Sequence, residues 1–291
     1  MISQEQKYTI QSELENRITQ EGSARKVALK MKGVSEGTLS QIRNNNWDLI
    51  ADSMWSKVAS QIKSGVVSTN EWLFAHTSTT DDFYNRFNQA KNNVLSMGIV
   101  ASAGSGKSAT AKAYAKENDH VFVLSCNEYW DKRWFLKELL TTMGLNPAGL
   151  TLPEMMERTV RHLQSISFHK PMIIFDEADK LKNKVLLFFI TLYNRLEDDC
   201  AFILMATQFL EKRINHGVSR NYAGYEEILS RIGRKVIHIQ PVTNYDTILI
   251  CSTNGVDDEK IIKKIWKESE NDVRRIKRLV IGHKINQTAY A

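Results

Sequence analysis

The 291-residue chain carries 39 Lys and Arg against 33 Asp and Glu, a net charge of +6, with 42% apolar residues and only 14 Gly and 4 Pro. These values describe an ordinary globular chain, long enough for two domains, whose mildly basic charge is compatible with a nucleic-acid partner without requiring one. Cys126, Cys200 and Cys251 are odd in number and widely spaced, which excludes a disulfide framework and a cysteine zinc site and reads as buried thiols in a reducing compartment. The polar N-terminus has no signal core and no run of 18 apolar residues occurs, so a cytoplasmic protein without a membrane span is expected.

Residues 1–64 have the texture of short amphipathic helices, with apolar spacing through Val27, Leu29 and Met31 and again through Leu39 and Ile42. The stretch GSARKVALKMKGVSEGTLSQIRNNNW reads as a helix, a turn containing Gly33, and a second helix opening on Ser35, a good N-cap. These residues resemble the Cro and phage-repressor class of helix-turn-helix. The resemblance implies that Ser35, Glu36, Gly37 and Gln41 face DNA, with Arg43 and the run Asn44–Asn46 near phosphates. Val34, Leu39 and Ile42 are expected to pack inward. Nine basic and seven acidic residues in 1–64 leave a net of +2, modest for a segment that neutralises phosphates; a small helical domain for protein contacts is the alternative. Residues 65–90, rich in Ser and Thr, read as a linker leading into a short helix.

From residue 94 apolar strands alternate with helices. The strands are VLSMGIVA (94–101), HVFVLSC (120–126), PMIIFDE (171–177), AFILMAT (201–207) and RKVIHIQPV (234–242). Between them lie the helical stretches ATAKAYAKEN, WFLKELLTTMG, PEMMERTVRHLQSI and KVLLFFITLYNRL. Continuous apolar strands alternating with helices predict an α/β core, residues 91–242, in which a five-stranded parallel sheet carries helices on both faces. Residues 243–291 are helical and charged.

The segment MGIVASAGSGKS, residues 97–108, leads from the first strand of this core into a helix. It has the pattern of a phosphate-binding loop, in which backbone N–H groups curl around a β-phosphate at the positive end of a helix. Gly104, Ser105 and Gly106, flanked by Ala103 and Ala109, supply the curl; Lys107 reaches the β- and γ-phosphates, and Ser108 is a Mg²⁺ ligand. Ala101 stands where the consensus has its first Gly, a position that eases the turn and gives no side-chain contact. In MIIFDEADK a buried strand ends on two carboxylates, a costly arrangement unless they face a cation or ligand. Asp176 is the candidate second Mg²⁺ ligand and Glu177 the candidate general base for an attacking water. ATP and Mg²⁺ are therefore the expected substrate and cofactor.

The order of this loop, MIIFDEAD, AFILMATQ and LSRIGRK resembles the AAA+ ATPases over roughly residues 70–285. The resemblance implies a central loop strand, a small helical lid over 243–291, and further site residues. Thr207, with Gln208 as its neighbour, takes the place of the polar sensor that aligns the lytic water. Arg231, with Arg234 as the competing choice, takes that of an arginine finger acting on the next subunit. Arg274 in NDVRRIKR takes that of the lid arginine, although Asn271 replaces the Gly frequent there. A finger acting between subunits implies a homo-oligomer, a ring or helical filament.

A Cro-like module ahead of a compact AAA+ core resembles the phage Mu B family of transposition ATPases. This implies ATP-dependent assembly on duplex DNA, delivery of target DNA to a partner transposase, and release through hydrolysis. The family-like place for DNA is CNEYWDKRWF, where Lys132 and Arg133 stand beside Tyr129, Trp130 and Trp134. Helicase loaders of the DnaC and IstB type share the core and remain an alternative. So does an ATP-switched transcriptional regulator, although a pure switch has no use for the carboxylate of Glu177.

Overall fold

The computed structural model describes residues 2–31, 33–62 and 72–289, which fall into two compact units, Met1–Glu71 and Trp72–Ala291. In the first unit, α1 (Gln4–Glu21) opens on a capping box between Ser3 and Gln6 and closes at Gly22, whose φ of 83° suits glycine. Ser23 caps α2 (Ala24–Lys30) and Ser35 caps α3 (Glu36–Arg43); α4 is Asp52–Ile62. Ile10, Leu14, Val27, Leu39, Ile42, Trp55 and Val58 are wholly buried together, and Trp47 stands edge-on to Tyr8 and Trp55. Val34, Leu39 and Ile42 pack inward as expected, but Leu29 is 81% exposed. Two residues along a helix turn a side chain by about 200°, so Leu29 cannot share a face with Val27 and Met31.

The segment read as a linker falls into two parts. Its residues 65–71 lie outside the described residues, whereas the chain from Trp72 belongs to the second unit. There α5 (Ser78–Asn93), capped by Thr77, buries Phe83, Phe87 and Ala90. The sheet follows: β1 (Met97–Val100), β2 (Val121–Ser125), β3 (Met172–Asp176), β4 (Ala201–Ala206) and β5 (Val236–His238), in spatial order β2-β3-β4-β1-β5. Every pairing is parallel, so each strand-to-strand connection crosses over through helices. These are α6 (Lys107–Glu117), α7 (Lys132–Thr142), α8 (Leu152–Ser165), α9 (Asn183–Leu186), α10 (Phe188–Leu196), α11 (Gln208–Ser219) and α12 (Tyr225–Arg231).

Strand periodicity divides the core. Ile173, Phe175, Phe202 and Leu204 face α7, α8 and α10. Met172, Ile174, Ile203 and Met205 face α5 and α6, against Phe83, Phe87 and Tyr114. The chain ends in α13 (Asn244–Thr253), α14 (Glu259–Ser269) and α15 (Val273–Ala289), packed through Ile250, Cys251, Ile262, Ile265, Ile276 and Val280. All three cysteines are buried and unpaired. Among the described residues no helix is long and apolar enough to cross a membrane.

Candidate active site

β1 gives way to a loop that enters α6 through Gly104 at φ 77° and Gly106 at φ 87°, both left-handed and suited to glycine. Ala101 needs no positive φ, which explains why alanine is accepted at that position. Lys107 curls back so that Nζ donates to the Ala101 and Ser102 carbonyls at 3.0 and 2.7 Å. Burial lowers its pKa, opposed by the nearby charges of Asp176 and Asp179. The loop is also joined to the C-terminal helices. The Val273 amide donates to the Gly104 carbonyl at 2.8 Å, and a Cβ added to Gly104 would lie 2.2 Å from the Asp272 carboxyl carbon.

Asp176 closes β3 in register with Ser125 and Met205 and is 2% exposed. Burial pushes its pKa up, against a hydrogen bond from Ser108 that favours the carboxylate. Its Oδ1 is buried with no hydrogen-bond partner among the described residues. An orphaned carboxylate oxygen beside a hydroxyl is a hard, all-oxygen donor set, and it fits Mg²⁺, which takes one or two protein oxygens and completes its shell with phosphate and water.

Glu177 follows in the left-handed region, φ 58°, an uncommon conformation for a residue with a Cβ. Its Oε2 accepts from Lys180 Nζ at 2.6 Å. At the end of β4 the Thr207 hydroxyl donates to Asp179 Oδ2 at 2.5 Å and accepts from the Phe209 amide at the start of α11. Residues 103–109, Glu177, Thr207 and Arg274 line one cavity of about 370 Å³. Gln208 does not line it. Trp72, Asp179, Lys180, Val273 and Lys277 also line it and were not expected from the sequence. Asp179 and Lys180 could have been found from their place in EADK. Trp72, over whose ring Lys277 Nζ stands at 5.5 Å, sits in the stretch read as linker and gave no signal.

The remaining candidates lie elsewhere. Arg231, at the end of α12, bonds Asn194 Oδ1 at 3.2 Å and stacks on Tyr193. Arg234 is exposed, 3.9 Å from Glu226. Lys132 and Arg133 line a second cavity of about 760 Å³, and the chain after β3 adds Lys182 and Lys184 to it. Lys132 lies over the Phe188 ring and Arg133 donates to the Leu150 carbonyl, while Tyr129 and Trp134 stand exposed nearby in sequence. In the first unit Glu36 and Gly37 are exposed at the start of α3 and Gln41 is half-buried. Arg43 is engaged with Glu15 at 2.7 Å, an interaction that raises its pKa through the hydrogen bond and the opposite charge.

Residues 91–214 match the family model described as an AAA domain. Among solved structures the chain is similar to Cdc6p from Pyrobaculum aerophilum, at 17% identity over 64% of this chain and 52% of that one, with a TM-score of 0.46. It is also similar to a chain of Drosophila ORC bound to DNA, at 14% identity over 77% of this chain and 59% of that one, with a TM-score of 0.50. The chain thus spans between half and three fifths of the length of these two. No curated protein matches it. The five-stranded parallel sheet with its flanking helices has the AAA+ fold, and residues 91–214 within it are similar to the AAA domain.

Proposed function

We propose that the protein is an ATPase that works on DNA, with the 370 Å³ cavity as its ATP site. The observation that carries this reading is the meeting in one cavity of the glycine loop, Lys107, Glu177 and Thr207, with the orphaned carboxylate of Asp176 beside Ser108. In this reading the backbone of 103–109 and Lys107 hold the phosphates, and Trp72 with Val273 offers an apolar end suited to the base. Ser108 and Asp176 hold Mg²⁺, which when bound neutralises phosphate charge. Glu177 takes the proton of a water attacking the γ-phosphorus, Thr207 orients that water, and ADP departs. Arg274 meets the γ-phosphate from the C-terminal helices. Arg231, outside the cavity of its own chain, serves the site of a neighbouring copy in a ring or filament.

DNA as the partner is supported by the Lys132, Arg133, Lys182 and Lys184 group and by the similarity to a structure of ORC bound to DNA. The finer proposal, from the sequence architecture, is selection of duplex target DNA for a transposase; Glu36, Gln41 and a released Arg43 would add contacts from the first unit. Anisotropy of labelled duplex and single-stranded oligonucleotides, with a non-hydrolysable ATP analogue, tests it. Tighter binding of duplex than of single strand, by about ten-fold and only with nucleotide, is expected. A preference for single strands favours the helicase-loader alternative, and nucleotide-independent binding contradicts both.

A further inference from the structure

We propose that Asp272 is a positioning residue: with Val273 it clasps the phosphate loop from the C-terminal helices and fixes the peptide between Gly104 and Ser105 in the orientation that serves a phosphate. This rests on the ATPase reading above. The Val273 amide donates to the Gly104 carbonyl at 2.8 Å. A trans peptide points its C=O and its N–H in opposite directions, so drawing the Gly104 carbonyl towards α15 turns the Ser105 N–H the other way. There it meets the Ser102 carbonyl at 3.3 Å, the same oxygen to which Lys107 Nζ donates at 2.7 Å. A donor held by so long a bond exchanges it readily for a phosphate oxygen, whose charge makes it the stronger acceptor. Gly104, at φ 77°, has no Cβ to resist rotation of this peptide plane. Its orientation is therefore set from outside the loop.

Asp272 holds the clasp in place. Its Oδ1 accepts from the Arg274 and Arg275 amides at 2.7 and 3.2 Å, the bonds of an N-cap for α15. The carboxyl group so fixed bears on Gly104, where a methyl group would overlap its carbon and both its oxygens. Glycine is thus required twice at position 104, by its φ and by this contact. The turn that delivers Asp272 is strained. Glu270 and Asn271 are consecutive left-handed residues, φ 51° and 62°, with no glycine between α14 and α15, and such residues persist where their surroundings over-determine them. Here the carbonyl of buried Ser269 accepts from the Asp272 amide at 3.0 Å, and Glu270 pairs with Arg275 at 2.8 Å. Ile262, Ile265 and Ile276 bury the facing sides of α14 and α15, so the loop is braced by packing that lies outside it.

The test is Asp272→Gly in the full chain, which removes the carboxyl group but leaves a residue tolerated at an N-cap. Asp272→Asn, which keeps the shape, is the conservative variant. ATP affinity is measured by equilibrium binding, and kcat and KM by phosphate release. Asp272→Gly should bind ATP about ten-fold more weakly, the range for one hydrogen bond to a charged group. Its KM should rise in step with kcat kept within about two-fold, as for binding shared by ground and transition states. Asp272→Asn should stay within about two-fold of wild type in all three. A cycle with Gly104→Ala separates the contact from a general loss of folding. That substitution should cost about five-fold less affinity in the Asp272→Gly background, where the overlap is gone and only the strain of φ remains. With wild-type binding intact, the proposal alone is overturned by unchanged affinity in Asp272→Gly, by equal losses in Asp272→Gly and Asp272→Asn, or by equal costs of Gly104→Ala in both backgrounds. Failure of the wild-type chain to bind ATP overturns it together with the ATPase reading.

Discussion

At Asp176 two demands conflict. The residue ends a strand buried on both faces, so ionisation is penalised, yet its buried Oδ1 is of use only as an anion facing a cation. Its raised pKa gives the conflict a sign. The ionised form costs stability above the folded pKa, and the cost is absent below the ordinary value of 3.8, where folded and unfolded chains are both protonated. Asp176→Asn should therefore raise the Tm of the nucleotide-free protein at pH 7.5, by on the order of 2 °C, and the gain should vanish near pH 3.5. The same variant should weaken Mg²⁺-dependent ATP binding at least ten-fold; scanning calorimetry across pH and equilibrium binding check the two halves. The placement of Asp176, Glu177 and Lys107 was legible in the sequence because it follows from local spacing, a strand before a glycine loop and a strand before two acids. The Thr207–Asp179 and Lys180–Glu177 contacts were not, since side-chain partners are chosen by tertiary packing and rotamer. Arg43 shows the converse. Its charge suits phosphate in sequence, but folding supplies Glu15 as a partner.

Elements came through the sequence unevenly, for a physical reason. The five strands were legible because parallel strands covered on both faces are continuously apolar, and their observed bounds lie within the expected ones. α5 was legible only as a short helix ending the linker, because of the three aromatic residues in DDFYNRFNQAKNN only Phe83 and Phe87 are buried, and the buried face is completed by Thr79, Thr80 and Ala90. Thr79 belongs to a junction that ties α5 to α13, its hydroxyl donating to Asp246 Oδ2 at 3.5 Å. Asp246 accepts from the Ser78 amide and hydroxyl at 2.7 and 3.0 Å and from the Thr243 amide and hydroxyl at 2.8 Å each. Burial alone would raise the Asp246 pKa, but these donors outweigh it and hold the pKa below the ordinary value. The stabilisation is thus present above pH 3.8 and is lost as pH falls through the lower folded pKa. Asp246→Asn should cost about 2 kcal/mol in urea unfolding at pH 7, and the gap from wild type should narrow as pH falls below 3.8.

On the scale of the whole molecule, the two units divide the functional candidates. Every described residue lining the 370 Å³ cavity proposed for ATP falls in Trp72–Ala291, and Glu36, Gln41 and Arg43 fall in Met1–Glu71. The account therefore expects residues 72–291, expressed alone, to bind ATP within about three-fold of the full chain's affinity, since removal of the first unit takes no cavity residue away. Calorimetric titration of both proteins decides this; a ten-fold loss would mean that the first unit takes part in nucleotide binding. The most direct measurement of the central claim is phosphate release from ATP and Mg²⁺ by the full chain and by Glu177→Gln, with ATP affinity determined for each. The account predicts equal affinity and a turnover at least about 100-fold lower in the variant, the range for loss of a general base. Equal turnover in the two proteins, or no ATP binding by either, would contradict it.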